Sequence, residues 1–258
     1  MSERKSWSRD ELLLAINLYC KTPFGKIHVR NPDIIDLANK LGRTPGSVSY
    51  KLANFASLDP SLPRKGASNV SQLDREVWAE FFDDWDTMAY KSEVLSAKLD
   101  KRDLKDAADI PEETIFGEGK TQSSFVKTRV NQDFFRTMVL SAYNGACCIT
   151  GISIQELLNA SHIVPWSVDG KNRLNPRNGL CLNALHDRAF DRGIITIGED
   201  LRIVVSSRVR RFKGSRGLGI ELITSYENKE IRLPKRFLPD PDFLEYHRRN
   251  VFQDKAVR

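Results

Sequence analysis

The chain has 258 residues, 40% hydrophobic and 29% charged, with a formal net charge of +6. That length can bury a sizeable core in one to three domains, and no apolar run approaches the ~20 residues of a membrane-crossing helix. The first residues lack the apolar stretch of a signal peptide, and the four cysteines have no paired spacing. These features argue against a structural zinc site and for a reduced, cytoplasmic protein without a membrane partner.

The charge is unevenly spread. Residues 1–60 carry a net +3, residues 74–118 a net −8, and residues 119–258 a net +9. Two positive ends around an acidic middle suit two DNA-facing modules joined by a connector that does not face DNA.

In chain order, Ser8-Arg9-Asp10-Glu11 is a capping box that opens a helix with Leu12, Leu13 and Ile16 on its apolar face. A second helix is predicted over 33–41, then a turn at Gly42-Arg43-Thr44. Thr44 caps a third helix, with Pro45 at its first position, running over 47–55. Two helices joined by a short turn with a glycine resemble a helix-turn-helix unit, which would offer Ser47, Ser49, Tyr50, Lys51 and Asn54 to a duplex. A small helical bundle with another task is the plainer alternative.

Residues 57–71 read as a linker with Pro60, Pro63 and Gly66. One long acidic helix follows over 70–99, a spacer or a dimerisation helix, which makes a homodimer one expectation. Residues 100–124 read as a second linker. Gly119-Lys120-Thr121 lacks the earlier glycine of a phosphate-binding loop. The domains expected are therefore a helical module at 1–58, a connector at 59–124 and a catalytic module at 125–258 with its core at 132–205.

That last module opens with a helix near 131–143 and a turn at Asn144-Gly145. Short strands are predicted at 147–150 and 162–166, with a helix beginning at Leu180. A hairpin follows at 194–197 and 201–205. Between Ser206 and Gly219 lie Arg208, Arg210, Arg211, Lys213 and Arg216, five basic residues in nine, read as a phosphate-contacting loop. A short helix over 243–251 closes the chain.

Two of the four histidines, His162 and His186, sit in Ser161–Gly193 with Asn178 between them. Phosphodiester cleavage needs a base that titrates near neutrality, which is histidine, and a divalent cation on the phosphate. An Asn can fix such a base or hold the loop that carries it. Cys148-Ile149-Thr150-Gly151, Ala160-Ser161-His162-Ile163-Val164-Pro165-Trp166, Asn178-Gly179-Leu180, Leu185-His186-Asp187 and Phe190-Asp191-Arg192-Gly193 together resemble the HNH endonucleases, the ββα-metal nucleases, and most closely their bacterial restriction-type branch. The resemblance implies an α+β fold with an N-terminal helical module and a C-terminal ββα-metal domain.

It also implies His162 as general base, Asn178 as its positioning partner and a metal ligand at His186 or Asp187. Asp191, four residues further on, would ligate or support. In many such nucleases an acid or histidine precedes the base; here that position is Ser161. The implied function is metal-dependent DNA hydrolysis in restriction-type defence, with Mg²⁺ or Mn²⁺ favoured by the oxygen ligands and nickel, cobalt or zinc usable in vitro. The alternatives are a DNA-binding regulator with a degenerate nuclease fold and an RNA-cleaving effector.

Overall fold

The computed structural model describes residues 5–60, 62, 67, 69–104, 122–211 and 218–254. The chain divides into two compact units, Met1–Ser141 and Ala142–Arg258. It mixes helices with two small antiparallel sheets.

The first unit is helical. Helix α1 (Arg9–Lys21) starts at the capping box: Ser8 Oγ accepts from Glu11 N, and Ser8 N donates to Glu11 at 2.8 Å. Leu12, Ile16, Tyr19 and Cys20 are buried along it. Asn31 caps α2 (Pro32–Leu41), which ends at Gly42 with φ 61°, a left-handed conformation that glycine adopts at little cost. Thr44 caps α3 (Pro45–Leu58), with Pro45 at its first position. These local signals act as the sequence predicts.

The acidic stretch forms two helices where one is predicted, α4 (Gln72–Asp83) and α5 (Trp85–Leu99). Asp84 leaves the helical region at φ −128°, ψ 73°, and its side chain caps α5 by accepting from Thr87 N. The break sets Trp85 edge-on to Phe81 at 5.4 Å. Val77, Phe81 and Met88 are buried within this unit. Part of the apolar face expected to serve a spacer or dimer is spent in this unit's own core, while Leu95 and Leu99 stay partly exposed.

Helix α6 (Gln122–Ala142) begins earlier than predicted. It is held to α5 by Asn131, which donates to the Asp86 carbonyl and carboxylate at 3.1 and 2.8 Å, and Phe134 meets Phe81 at 6.1 Å. The expected second linker lies mostly outside the described residues, as does Gly119-Lys120-Thr121.

In the second unit Asn144 and Gly145 turn with positive φ. Cys147–Thr150 is a turn and not a strand. Its Cys148 still donates to the Cys181 carbonyl at 2.8 Å and accepts from Arg232 N at 2.8 Å. Strand β1 (Leu158–His162) pairs antiparallel with β2 (Gly179–Asn183), placing Leu158 opposite Asn183 and His162 opposite Gly179.

The helix expected from Leu180 starts only at α7 (Ala184–Asp191), capped by Asn183. Gly179–Asn183 is buried at every position. A strand covered on both faces shows a continuous apolar run, which does not separate strand from helix. The predicted hairpin forms as β3 (Ile195–Ile197) and β4 (Ile203–Val205), turning at Leu201 with φ 61°. Helices α8 (Ser207–Arg211), α9 (Leu218–Thr224) and α10 (Pro241–Asn250) complete the described fold. His247 of α10 stacks on Phe190 at 3.6 Å, donates to the Phe190 carbonyl and accepts from Thr196 Oγ1. It ties α10 to α7 and β3. No helix among the described residues is long and apolar enough to cross a membrane.

Candidate active site

The hairpin β1–β2 and helix α7 build the site. His162 ends β1 and is half-buried. Its Nε2 lies 2.9 Å from the Arg173 carbonyl. A carbonyl only accepts, so Nε2 carries the proton and the lone pair of the neutral ring is on Nδ1. Trp166 stands edge-on to the ring at 5.4 Å, and the Arg173 guanidinium lies 5.4 Å from the Trp166 ring. Burial pushes the His162 pKa down; the Arg173 carbonyl and the charge of Asp187 oppose it in part. The result is a neutral imidazole at neutral pH.

Asn178 is 1% exposed and holds the loop that follows His162. Its Oδ1 accepts from Val164 N at 2.7 Å, and its Nδ2 donates to the Val164 and Asn172 carbonyls, both at 3.2 Å. Its own carbonyl accepts from Ile163 N. All these bonds go to backbone and none to the His162 ring. The asparagine therefore holds the chain that follows His162.

The structure separates the neighbours His186 and Asp187. Asp187 turns to β1, where its carboxylate accepts from Asn159 Nδ2 at 2.7 Å and acts on His162. His186 turns inward, 2% exposed, with Nδ1 3.1 Å from Asn183 Oδ1 and its ring edge-on to Tyr226 at 5.3 Å. Burial lowers its pKa, opposed by the Leu222 backbone, although Nε2 makes no hydrogen bond of full geometry. Adjacent helix positions point about 100° apart, so the two side chains meet different surroundings. His186, expected as catalytic or as a ligand, lies on the inner side of the start of α7, against Asn183 and Tyr226.

Asp191 lies one helical turn beyond Asp187. Partial burial and the negative charge of Asp187 raise its pKa, against Arg188 and Arg192. The buried Ser161 hydroxyl lies close to it, also without a hydrogen bond of full geometry. Asn159 and Ser161, two apart on β1, thus face the two carboxylates of α7, a pairing that alternation along β1 makes legible once the strand is known. Asn159, Trp166 and Arg173 are the contributors that sequence reasoning missed.

Residues 147–198 match the model of the HNH endonuclease family, HNH_2. The C-terminal half of this chain carries an HNH endonuclease domain. No curated protein matches the chain. The HNH match covers both β-strands of the site hairpin, all of α7 and strand β3. It supports a nuclease, and hydrolases of this family generally work with a divalent cation on DNA.

The residues fit such a cation. Asp187 and Asp191 are hard oxygen donors whose like charges raise one another's cost, which a cation would relieve. Among the described residues no group of three or more His, Cys, Asp or Glu is arranged around a metal position. Two carboxylates suit an ion that keeps several waters, as Mg²⁺ does.

The expected DNA contacts fare unevenly. Arg208 is exposed. The side chains of Arg210 and Arg211, and all of Lys213 and Arg216, lie outside the described residues. On α3, Ser49 is half-exposed and Tyr50 exposed. Lys51 is turned inward, 7% exposed, with its ammonium 2.8 and 2.9 Å from the two oxygens of fully buried Asp74. Asn54 is likewise buried and donates to the Asn69 carbonyl. Lys51 is the one basic residue of α3, so that helix has no cation to give a phosphate.

Proposed function

We propose that the C-terminal unit is a divalent-metal-dependent DNA endonuclease and that the whole chain serves a restriction-type role. The observation that carries the reading is His162: a neutral imidazole, its Nε2 proton held on the Arg173 carbonyl, in the field of Asp187.

His162 Nδ1 takes the proton of a water that attacks phosphorus in line. The Arg173 carbonyl stabilises the imidazolium that forms, because it accepts from Nε2 in both protonation states. Asn178 fixes the loop on which base and carbonyl are carried. Asp187, oriented by Asn159, and Asp191 would hold Mg²⁺ or Mn²⁺. When bound, that ion neutralises the phosphate and stabilises the leaving oxygen. The bond from phosphorus to the 3′-oxygen breaks, leaving a 3′-hydroxyl and a 5′-phosphate.

Supercoiled plasmid, methylated and unmethylated, incubated with Mg²⁺, Mn²⁺ or a chelator tests this. Nicking or linearisation that needs the metal and disappears in His162→Ala is expected. A plasmid left intact under every metal, or cut equally by His162→Ala, sinks the proposal. A discrete band pattern supports the restriction role; a smear counts against it.

A further inference from the structure

Beyond the catalytic hairpin, a cavity of about 290 Å³ opens where α7 runs into β3. Two arginines line it, Arg192 just after α7 and Arg208 on α8, and both residues are exposed. Among the described residues, neither makes an ion pair and no acidic residue lines the cavity. Asp254, close by on the chain that passes this wall, accepts from Ser207 N and Ser207 Oγ at 2.6 and 3.0 Å.

The wall between the arginines is main chain, and it is braced. Gln253 N donates to the Gly193 carbonyl at 2.9 Å, Ser206 N to the Ile194 carbonyl at 2.9 Å, and Ser206 Oγ to the Gln253 carbonyl at 3.0 Å. Gly193 has φ +63°, and a Cβ there would stand 2.0 Å from the Val251 carbonyl oxygen. The approach is possible only for glycine. Two like charges on the lining of one cavity favour an anion within it.

We infer that the Arg192–Arg208 cavity is a phosphate subsite, which binds an internal phosphodiester of the DNA strand next to the bond that is cut. The placement supports this source: Arg192 directly follows Asp191 at the end of the site helix α7. Arginine suits the task because its planar fork meets phosphate oxygens two at a time. The inference rests on the nuclease reading for the word "next", and on the cavity alone for the anion.

The test uses the full chain carrying His162→Ala, in metal-free buffer, so that binding is read without cutting. Anisotropy of a short labelled DNA duplex is followed over a salt series for this parent, for Arg192→Gln, for Arg208→Gln, for both together, and for Arg249→Gln as a control on α10. Each cavity arginine is expected to make the log–log salt slope shallower by roughly 0.9, the value for one duplex phosphate. Arg249→Gln is expected to leave it unchanged. Duplexes with 5′-hydroxyl ends should give the same shifts.

Slopes equal to the parent's, an equal shift in Arg249→Gln, or no DNA binding by the parent overturns the subsite. So does a shift seen only with 5′-phosphorylated ends, which would assign a terminal phosphate. The two proposals fail separately. A wild type that cuts plasmid while the arginine variants keep the parent slope loses the subsite alone. A wild type that never cuts, with the slopes shifted as expected, loses the nuclease alone.

Discussion

The two units differ in what they leave unpaired. In the helical unit, charges are spent on one another. Glu11 meets Arg43 and Lys5, Lys51 meets Asp74, Lys40 meets Asp36 and Asp100, and Lys21 meets Glu93. Burial works against ionisation of Glu11, yet Arg43, the Ser8 N–H and Lys5 outweigh it and bring its pKa to about 2. In the HNH unit, two carboxylates of α7 stand close enough for one to raise the pKa of the other, and two exposed arginines line one cavity without a salt bridge among the described residues. Saturated charges describe a scaffold, whereas charges of one sign held together describe a place for something that is not part of the chain.

The sharpest break of that contrast is at His162. His162→Ala should reduce cleavage by about 10²–10⁴-fold, the usual contribution of a general base, with DNA binding in metal-free buffer unchanged. Unaltered cleavage would move the chemistry elsewhere. The acid limb of kcat/KM should fall below the ordinary histidine value of 6.5, since burial lowers this pKa; a limb above it would contradict the buried, neutral base.

A comparable energy is expected in the scaffold. Asp74→Ala leaves a buried ammonium uncompensated and should cost about 3–5 kcal/mol, read by chemical denaturation of the full chain. Lys51→Met combined with Asp74→Leu should recover most of it. A loss below about 1 kcal/mol would mean that Lys51 reaches water, and would return it to the DNA-facing set.

Next comes pH. His247 is held neutral, with its pKa lowered from 6.5 to about 4 by burial, against the Phe190 carbonyl and with help from Arg248. The unfolded chain therefore binds the extra proton between these values. The stability concerned is complete above pH 6.5 and is lost as pH falls from 6.5 toward 4, by about 3 kcal/mol in all. Calorimetry across that window should show the loss, and His247→Gln should flatten it. A parallel slope in the variant would remove His247 from the account.

The smallest effect tests a cap. Thr44→Ala should cost about 1 kcal/mol through the lost bond to Ser47 N without altering cleavage.

What the sequence discloses is mostly what acts over a few residues. Ser8, Thr44, Pro45 and Gly42 do locally what their types predict. Asp84 does not stand out, because the cap that breaks α4 from α5 sits in a run of acids. Gly179–Asn183 reads as the start of a helix because its two buried faces erase the alternation of a strand. At the candidate site, the segment that carries His162 and Asn178 is legible. The different surroundings of His186 and Asp187 are not, since one residue of phase separates them and only Asn159 and Tyr226, across the fold, show that phase. Lys51 misleads for the same reason: its partner is 23 residues away.

The hydrogen bond that orients His162 ends on a main-chain oxygen. Residue 173 can change identity and still present that oxygen, so a scan of side-chain substitutions passes over the acceptor and finds only what Arg173 does for Trp166. Drift at position 173 would likewise leave the base aligned. Reaching the contact takes a change that moves the backbone of 172–174, such as a proline or a deletion, or chemical replacement of the peptide group itself.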